Sequence, residues 1–451
     1  MILCEQNYYL STKNSIKFML LNIYYNKKLD IENKIIILSQ KILYNNKIKN
    51  VSNCSNKIII KNIHHLYNLK KFKSPCYKGI SQSDIKKLTK MTSLDCRYNS
   101  FIKTINHLFN LKKLCCLNSI IDQNDIKKLI KIIKLNCNFN KKINNVNHLR
   151  NLKKIYCQTN SGINQNGIKR LSKITKLDCD NNKKIKDVNH LSNLKKLYCR
   201  EKSGIDQNGI KNLTKVIKLE CYNNEKIKNV NHLLNLKKLG CYGNSGIDQN
   251  GIKSLSKIIK LNSNEKILDV NHLTNLKELH CFRNSGIDQN SIKNLTKIRK
   301  LYCNNNEKIK DVNHLIHLKE LHCYSNSGIN QNGIKYLTGI IKLDCGYNEK
   351  IQDINHLIHL TNLYCIGTSG VDQNGIKNLT KISKLYCNDN DKINDVNHLI
   401  QLETLYCCYD SAIDQNGIKN LTKIIKLWCI ENSKIKDVTH LRNLKFYNSH
   451  N

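Results

Sequence analysis

The fold of this chain follows from one recurring stretch, which reads Ile174-Thr-Lys-Leu177-Asp-Cys179-Asp-Asn-Asn182-Lys-Lys-Ile185 in one of its clearest copies. Leu177 and Cys179 are two residues apart, so their side chains point to the same side of an extended chain, as in a half-buried β-strand. Asn182 follows where an asparagine favours a turn out of the strand. The stretch therefore predicts one short strand followed directly by a turn.

The stretch recurs along most of the chain at intervals of 40 to 42 residues. Equivalent leucines are Leu94, Leu135, Leu177, Leu219, Leu261, Leu301, Leu343, Leu385 and Leu427. Each interval contains a second copy, so that a half-unit of 20 residues starting at Leu177 is followed by one of 22 residues starting at Leu197. The sequence therefore predicts a structural repeat of about 21 residues, present about nineteen times between residues 51 and 451.

This pattern resembles the leucine-rich repeat, Leu-x-x-Leu-x-Leu-x-x-Asn/Cys-x-Leu, with cysteine in place of one leucine. The resemblance covers residues 51–451. It implies an α/β solenoid, a leucine-rich-repeat horseshoe with a parallel β-sheet on its concave face and short helices on its convex face. It also implies a ladder of asparagines that satisfies backbone groups inside each turn. These asparagines are Asn99, Asn140, Asn182, Asn224, Asn306, Asn348, Asn390 and Asn432.

Two kinds of half-unit alternate along the chain. One kind, with Asp187-Val-Asn-His-Leu191, resembles the short-helix repeats of internalins and of the phosphatase-regulator class. In the other kind, Ile210 and Leu213 are spaced for a helix that Asp206 can cap, and Asp187 can cap its own short helix in the same way. This alternation on a background rich in Lys, Asn and Ile also resembles the leucine-rich-repeat proteins of amoeba-infecting giant viruses, which mostly lack an assigned activity.

Residues 1–50 do not fit the repeat, and the apolar segments 16–25 and 31–43 predict two helices. A solenoid must cover the exposed end of its core, so we expect an N-terminal cap. The alternative is an adaptor-recruiting module such as an F-box, which usually opens with Leu-Pro, whereas the one proline of this chain is Pro75. Residues 445–451 show no cap sequence, so we expect that this sheet edge can pair with another subunit.

The chain has 75 Lys and Arg against 34 Asp and Glu, a net charge of +41, which favours acidic partners, nucleic acid or anionic membranes. A coding bias toward A and T also produces many lysines, so a solvated basic surface is an equally good interpretation. Residues 18–25 lack the flanks of a signal peptide, and no apolar run approaches the roughly 18 to 20 residues of a membrane span. We predict a protein that is intracellular, not secreted and not in a membrane, with the cytoplasm as its compartment.

Cysteine and histidine are abundant but regularly placed. Seventeen of the 21 cysteines, from Cys54 to Cys429, occupy the Leu-x-Cys position and face the predicted core, which indicates small buried residues with free thiols in a reducing compartment. The paired C-x-x-C spacing of zinc sites is absent. Histidines such as His190 recur every second turn, roughly 10 Å apart, which is too far to share a metal ion. We therefore expect no metal, no cofactor and no catalytic residue.

The residues before Leu, between Leu and Cys, and after Cys face away from the predicted core. Lysine dominates the first of these positions and makes the N-terminal half of the face the more basic. Aromatic residues concentrate at the other two positions in the C-terminal half. The predicted partner-binding residues are Lys176, Lys218, Lys260, Lys300, Lys342, Lys384, Lys426, Tyr198, His280, Phe282, Tyr302, His322, Tyr324, Tyr364, Tyr386, Tyr406 and Trp428.

Two functions fit this pattern. The first is a non-enzymatic scaffold that binds a protein partner with an acidic surface on the concave face, with aromatic residues as anchors. The alternative is a solenoid that binds nucleic acid or another polyanion, with lysines on phosphates and tyrosines stacked on bases. Asp95, Asp178, Glu220 and Asp344 interrupt a continuous phosphate track. An enzyme is disfavoured because nothing outside the repeats is long enough to house a catalytic domain.

Overall fold

A computed structural model of the chain describes residues 35–37, 50–52, 59–61, 63–64, 66–73 and 80–449. The helices predicted over 16–25 and 31–43 lie outside these residues, except that Ile35–Ile37 form a strand instead of a helical turn. The helical N-terminal cap therefore stays a prediction.

The chain divides into two compact units, Met1–Ile227 and Lys228–Asn451. Strands of the first unit are β1 (Ile35–Ile37), β2 (Asn50–Ser52), β3 (Ile59–Lys61), β4 (Lys71–Lys73), β5 (Ser93–Asp95), β6 (Lys113–Cys115), β7 (Lys134–Asn136), β8 (Lys154–Tyr156), β9 (Lys176–Asp178), β10 (Lys196–Tyr198) and β11 (Lys218–Glu220). Those of the second unit are β12 (Lys238–Gly240), β13 (Lys260–Asn262), β14 (Glu278–His280), β15 (Lys300–Tyr302), β16 (Glu320–His322), β17 (Lys342–Asp344), β18 (Asn362–Tyr364), β19 (Lys384–Tyr386), β20 (Thr404–Tyr406), β21 (Lys426–Trp428) and β22 (Phe446–Asn448).

Pairing is parallel and follows the order of the chain. Strand β1 pairs with β3, whereas β2 pairs with β4. From β4 to β11, and again from β12 to β22, each strand pairs with the next. Equivalent residues are direct partners, so that Leu197 lies between Leu177 and Leu219. The period of two predicted from Leu-x-Cys is confirmed, since both positions are buried in one turn after another.

A buried asparagine closes each turn of one kind. The Asn182 side-chain nitrogen Nδ2 donates to the carbonyl oxygens of Cys157 at 2.8 Å and Ile163 at 3.2 Å. Its side-chain oxygen Oδ1 accepts from the Lys184 backbone amide at 2.9 Å. These carbonyls belong to the preceding turn, so one side chain satisfies backbone groups of two turns. The expected ladder is confirmed. The same contacts recur at Asn140, Asn224, Asn306, Asn348, Asn390 and Asn432.

Turns of the other kind use a buried serine at the corresponding place. Ser203 is fully buried, and its hydroxyl oxygen lies 3.4 Å from the Ile205 amide nitrogen, which donates to it. The Lys226 ammonium group donates to the Ser203 carbonyl oxygen at 3.2 Å. The buried serines therefore form a second ladder, in which a lysine of the next turn binds the serine carbonyl oxygen.

On the other side of each turn the helical segments are single turns. They are Gln82–Ile85, Gln123–Ile126, Gln165–Ile168 and Gln373–Ile376 as α-helix, and Asn208–Ile210, Asn250–Ile252, Asn290–Ile292, Asn332–Ile334 and Asn416–Ile418 as 3₁₀-helix. The predicted cap is confirmed at Asp206, whose carboxylate accepts from the Gly209 amide at 2.9 Å. A Cβ atom on Gly209 would lie 2.1 Å from the Lys186 carbonyl oxygen, so the close approach of two turns requires glycine. Within the described residues, no helix has the length and apolar character needed to cross a membrane.

The short helix predicted after Asp187 is wrong. Val188 to Leu194 form two consecutive turns, in which the Leu191 amide donates to the Val188 carbonyl at 3.0 Å and the Leu194 amide to the Leu191 carbonyl at 2.8 Å. The physical reason is that this half-unit returns to the next strand within 20 residues, two fewer than the half-unit that carries the helical turn. The Asp187 carboxylate caps the first of these turns by accepting from the Asn189 amide.

Glutamine and histidine side chains join neighbouring turns on this side. The Gln165 carbonyl oxygen accepts from the amides of Lys186 and Asp187 at 2.9 and 3.0 Å, and its amide group donates to the Asp187 carbonyl at 2.8 Å. His190 Nε2 lies 3.0 Å from the Ile168 carbonyl oxygen of the preceding turn. The same histidine contact to the preceding turn occurs at eight of the described turns, so these side chains have a structural role.

The cysteine column is buried, apart from Cys54, which lies outside the described residues. Its thiols are free, and some of them donate to the next strand, as Cys179 Sγ does to the Tyr198 carbonyl oxygen at 3.3 Å. Burial raises the pKa of Cys303 and Cys345 to about 12, so these groups stay protonated and unreactive near neutral pH. The cysteines of the column thus act as small core residues.

Replacing Asn182 with alanine should destabilise the chain by about 2–4 kcal/mol, because the Cys157 and Ile163 carbonyls lose a buried donor. Urea unfolding followed by circular dichroism measures this. Asn193→Ala is the matched control, since Asn193 is exposed and donates to one carbonyl, that of Ser172. Its change should stay within about 0.5 kcal/mol. Equal losses in both variants would contradict a special role for the buried ladder.

Candidate functional site

Three columns of side chains form the open face of the sheet in each unit, because residues two apart on a strand point the same way. The first column holds the residue before the buried leucine, the second holds the residue between leucine and cysteine, and the third holds the residue after cysteine. Each sequence-predicted binding residue lies in one of these columns and is half-buried or exposed. Strand register thus brings them onto the open faces of the two units.

In the second unit, lysine and glutamate alternate along the first column. Lys260, Glu278, Lys300, Glu320 and Lys342 are neighbours in register. The Lys260 ammonium lies 2.5 Å from the Glu278 carboxylate, and those of Lys300 and Lys342 lie 2.7 and 2.9 Å from that of Glu320. Each glutamate therefore balances the lysines beside it.

The second column adds histidine and tyrosine to this network. His322 Nε2 lies 3.0 Å from Glu320 Oε1, and its Nδ1 lies 3.0 Å from Asp344 Oδ2. A carboxylate therefore lies at hydrogen-bond distance from each ring nitrogen of His322. The Tyr302 hydroxyl donates to the same Glu320 oxygen at 3.1 Å. The Tyr302 ring stacks between His280 and His322, with centroids 4.0 and 4.4 Å away.

This network shifts the pKa of several groups. Burial alone favours a neutral Glu320, but hydrogen bonds from Lys300, His322 and Lys342 outweigh it, so the pKa of Glu320 lies well below its usual value. Burial and the nearby Glu320 carboxylate raise the pKa of the Tyr302 hydroxyl, which stays protonated and donates. Partial burial lowers the pKa of His280. Glu320 therefore stays ionised and Tyr302 stays protonated at neutral pH.

The aromatic column follows directly and consists of Tyr364, Tyr386, Tyr406 and Trp428 on β18 to β21. Their ring centroids are 4.2, 4.5 and 4.5 Å apart in sequence order, and the rings are within 17° of parallel. Each ring is half-buried. Because the two inner rings have both faces covered by neighbours, the column presents ring edges and hydroxyl groups.

Beside the aromatic column the first column carries no acidic residue. It reads Asn362, Lys384, Thr404 and Lys426, of which Lys384 is exposed. Aromatic edges and ammonium groups thus lie next to each other on four adjacent strands. This surface suits a partner that offers apolar groups together with carboxylates.

The open face of the first unit is organised differently. The Lys176 ammonium lies between the rings of Tyr156 and Tyr198, 4.5 and 4.4 Å from their centroids. The Lys218 ammonium lies 4.9 Å from the Tyr198 centroid and 2.9 Å from the Glu220 carboxylate. Lysines rather than further rings therefore cover the tyrosine faces here.

The predicted site residues lie in these columns, but the prediction did not include the glutamates that bind their lysines. Glu278 and Glu320 bind lysines on neighbouring strands, and the alternation of Lys and Glu at the position before leucine was the available signal. Tyr347 and Tyr409 lie outside the predicted site. They follow the strands with φ of 55° and 58°, a conformation that bulky residues rarely adopt, and remain exposed. Within the described part of the chain, no group of His, Cys, Asp and Glu is placed to hold a metal ion.

Removing the Glu320 charge should destabilise the chain at neutral pH and lose its effect in acid. The folded-state pKa of Glu320 lies below the unfolded value of about 4.3, so its stabilisation is present above that value and disappears as pH falls through the folded-state pKa. Urea unfolding of wild type and Glu320→Gln at pH 7, 5 and 3 should show a difference that persists to pH 5 and shrinks by pH 3. Glu307→Gln, at an exposed site, gives the background. A difference that grew in acid would contradict the network.

No protein-family model and no curated protein matches the sequence. Among similar solved structures is the functional domain of InlJ from Listeria monocytogenes, described as including a cysteine ladder. It is 19% identical, with 80% of this chain and 73% of that chain covered and a TM-score of 0.44. The TLR13–ssRNA13 complex is 18% identical, with 83% and 63% covered and a TM-score of 0.42.

The leucine-rich-repeat ectodomain of the receptor kinase GASSHO1/SCHENGEN3 from Arabidopsis thaliana, in complex with CASPARIAN STRIP INTEGRITY FACTOR 2, is 12% identical, with 93% and 63% covered and a TM-score of 0.43. The chain spans less than two thirds of this structure and of TLR13. Its own register, buried leucines and asparagine ladder make it a parallel β-solenoid of about 18 turns.

Proposed function

We propose that this chain is a non-enzymatic scaffold that binds a protein partner on the open face of its second unit. The observation that carries the proposal is the aromatic column of Tyr364, Tyr386, Tyr406 and Trp428, four stacked rings held on adjacent strands. Tyrosine and tryptophan are the residues most enriched among those that dominate binding energy. Four of them in contact on one open face form a concentrated contact surface.

Preorganisation supports this proposal. Each ring of the column is fixed by its neighbours, so binding costs little of the side-chain entropy that an isolated tyrosine would lose. The strands below are held by buried leucines, and Leu363, Leu385 and Leu405 are fully buried. A partner thus meets a surface already in its bound conformation.

Charge supports a partner with acidic groups. Lys384 and Lys426 are neighbours of the aromatic column, and among the described residues neither forms an ion pair. The net charge of +41 would accelerate association with an acidic protein. Free buried thiols such as Cys387 and Cys407 also fit the proposed reducing intracellular compartment.

The alternative function, binding of nucleic acid, has less support from the aromatic column. Base stacking needs an accessible ring face. Tyr386 and Tyr406 have a neighbouring ring on both sides, so they offer edges instead. A protein partner can pack on edges and bond to the hydroxyl groups, which is why we favour it.

The test replaces Tyr364, Tyr386, Tyr406 and Trp428 together with alanine. Affinity purification from the native host with wild-type chain, followed by mass spectrometry, identifies the candidate partner, and calorimetry with the purified partner gives Kd. The variant should bind at least about 30-fold more weakly, since the loss of one dominant contact residue costs about 2 kcal/mol.

Tyr336→Ala is the control, because Tyr336 is exposed on the helical side of its turn. It should leave Kd unchanged. Circular dichroism of the quadruple variant confirms that the solenoid remains folded. Unchanged affinity in a folded quadruple variant would refute the proposed surface.

A further inference from the structure

The first unit carries an uninterrupted row of lysines on its open face. They occupy the first column on six consecutive strands, β6 to β11, and each is the direct register partner of the next. This lysine row consists of Lys113, Lys134, Lys154, Lys176, Lys196 and Lys218. Four of the six are exposed, and Lys176 and Lys218 are half-buried. The row contains no acidic residue.

Such a row opposes folding. Parallel strands lie about 4.8 Å apart, and like charges directly opposite each other across strands are destabilising. From β13 to β17 of the second unit the first column avoids this repulsion, because Glu278 and Glu320 lie between lysines. From β6 to β11 of the first unit no glutamate separates the lysines.

Internal contacts relieve little of this charge. Tyr156 and Tyr198 lie beneath Lys134, Lys176 and Lys218, at 4.4 to 5.3 Å from ring centroid to ammonium. These rings stabilise ammonium groups but do not neutralise them. Of the six lysines, Lys218 alone forms an ion pair within the described residues, with Glu220. Five adjacent lysines thus remain without an ion pair in the described part of the chain.

We propose that the lysine row is a binding site for an extended acidic peptide segment, rich in Asp and Glu, that crosses the strands of the first unit. This surface is separate from the aromatic column, so the inference goes beyond the proposed function and can fail without it. Six strands span about 24 Å at the spacing of a parallel sheet. An extended peptide covers this distance with about seven residues at about 3.3 Å each. Carboxylates on such a segment supply the missing counter-charges.

The surroundings favour carboxylates over nucleic acid. The faces of Tyr156 and Tyr198 are covered by ammonium groups, so they give no platform for bases. Arginine, the residue best suited to bidentate phosphate contacts, is absent from the row. Nearby Arg97 and Arg200 are already paired with Asp95 and Asp180 at 2.6 and 2.5 Å. The row therefore offers single ammonium groups at regular intervals. Separate carboxylates along a peptide can pair with them one by one.

The decisive variant is Lys154→Glu combined with Lys196→Glu in the full chain. It leaves Lys134, Lys176 and Lys218 in place on their tyrosines and recreates the Lys–Glu alternation of the second unit. Fluorescence anisotropy with a labelled ten-residue oligoglutamate, at low and moderate salt, measures binding. We expect the variant to bind at least ten-fold more weakly than wild type and to melt at the same or a higher temperature, because lysine repulsion is replaced by attraction.

The control is Lys128→Glu combined with Lys173→Glu, which changes the net charge of the chain equally on the exposed helical side of the same unit. It should retain most of the affinity. Equal losses in both variants would show general electrostatic attraction and overturn the site. Oligothymidylate of the same charge should bind more weakly than oligoglutamate. Tighter binding of oligothymidylate would overturn the peptide class, and a lower melting temperature of the Lys154, Lys196 variant would overturn the repulsion argument.

Discussion

The spacing of parallel strands, about 4.8 Å, is the constraint on which the rest of this structure depends. Because the repeats pair in register, each position of the repeat meets the same position of the next turn, as Leu177 meets Leu197. Buried positions gain from this arrangement, since leucine packs on leucine and Asn182 can reach carbonyls of the turn before it. An exposed side chain lies beside the side chain at the same position of the next turn. The chemical character of the open face therefore depends on the whole column and not on single residues.

The open faces show three ways in which a column accommodates that neighbour. Charges alternate in sign where Glu320 lies between Lys300 and Lys342. Rings stack face to face where Tyr386 lies next to Tyr406. In the lysine row of the first unit neither occurs, and the electrostatic cost stays in the folded chain. A column that is satisfied internally presents a fixed surface, whereas an unsatisfied column leaves charges that a ligand can neutralise.

Much of the fold could be predicted from the sequence because it depends on contacts that repeat. Leu177, Cys179 and Asn182 predicted strand, core and turn, and each has that role. The prediction of a helix after Asp187 was wrong because helix propensity takes no account of the number of residues available for the return to the next strand. The pairing of Lys260 with Glu278 was missed for a similar reason. These residues are 18 apart in sequence and meet because one turn of the solenoid separates them. A pattern read within one strand does not show this contact, whereas an alignment of successive repeats does.

A surface made of columns also limits what it can recognise. Its contact atoms lie in lines across the strands, at intervals set by the sheet, so it offers rows rather than a closed pocket. A partner gains most when its own groups are spaced along an extended segment, because each strand then supplies one contact. Such rows need little reorganisation on binding, since β18 to β21 are fixed by the buried leucines beneath them. Specificity therefore depends on the order of residues along a column. A substitution on one strand changes one contact with the bound segment and leaves the others in place.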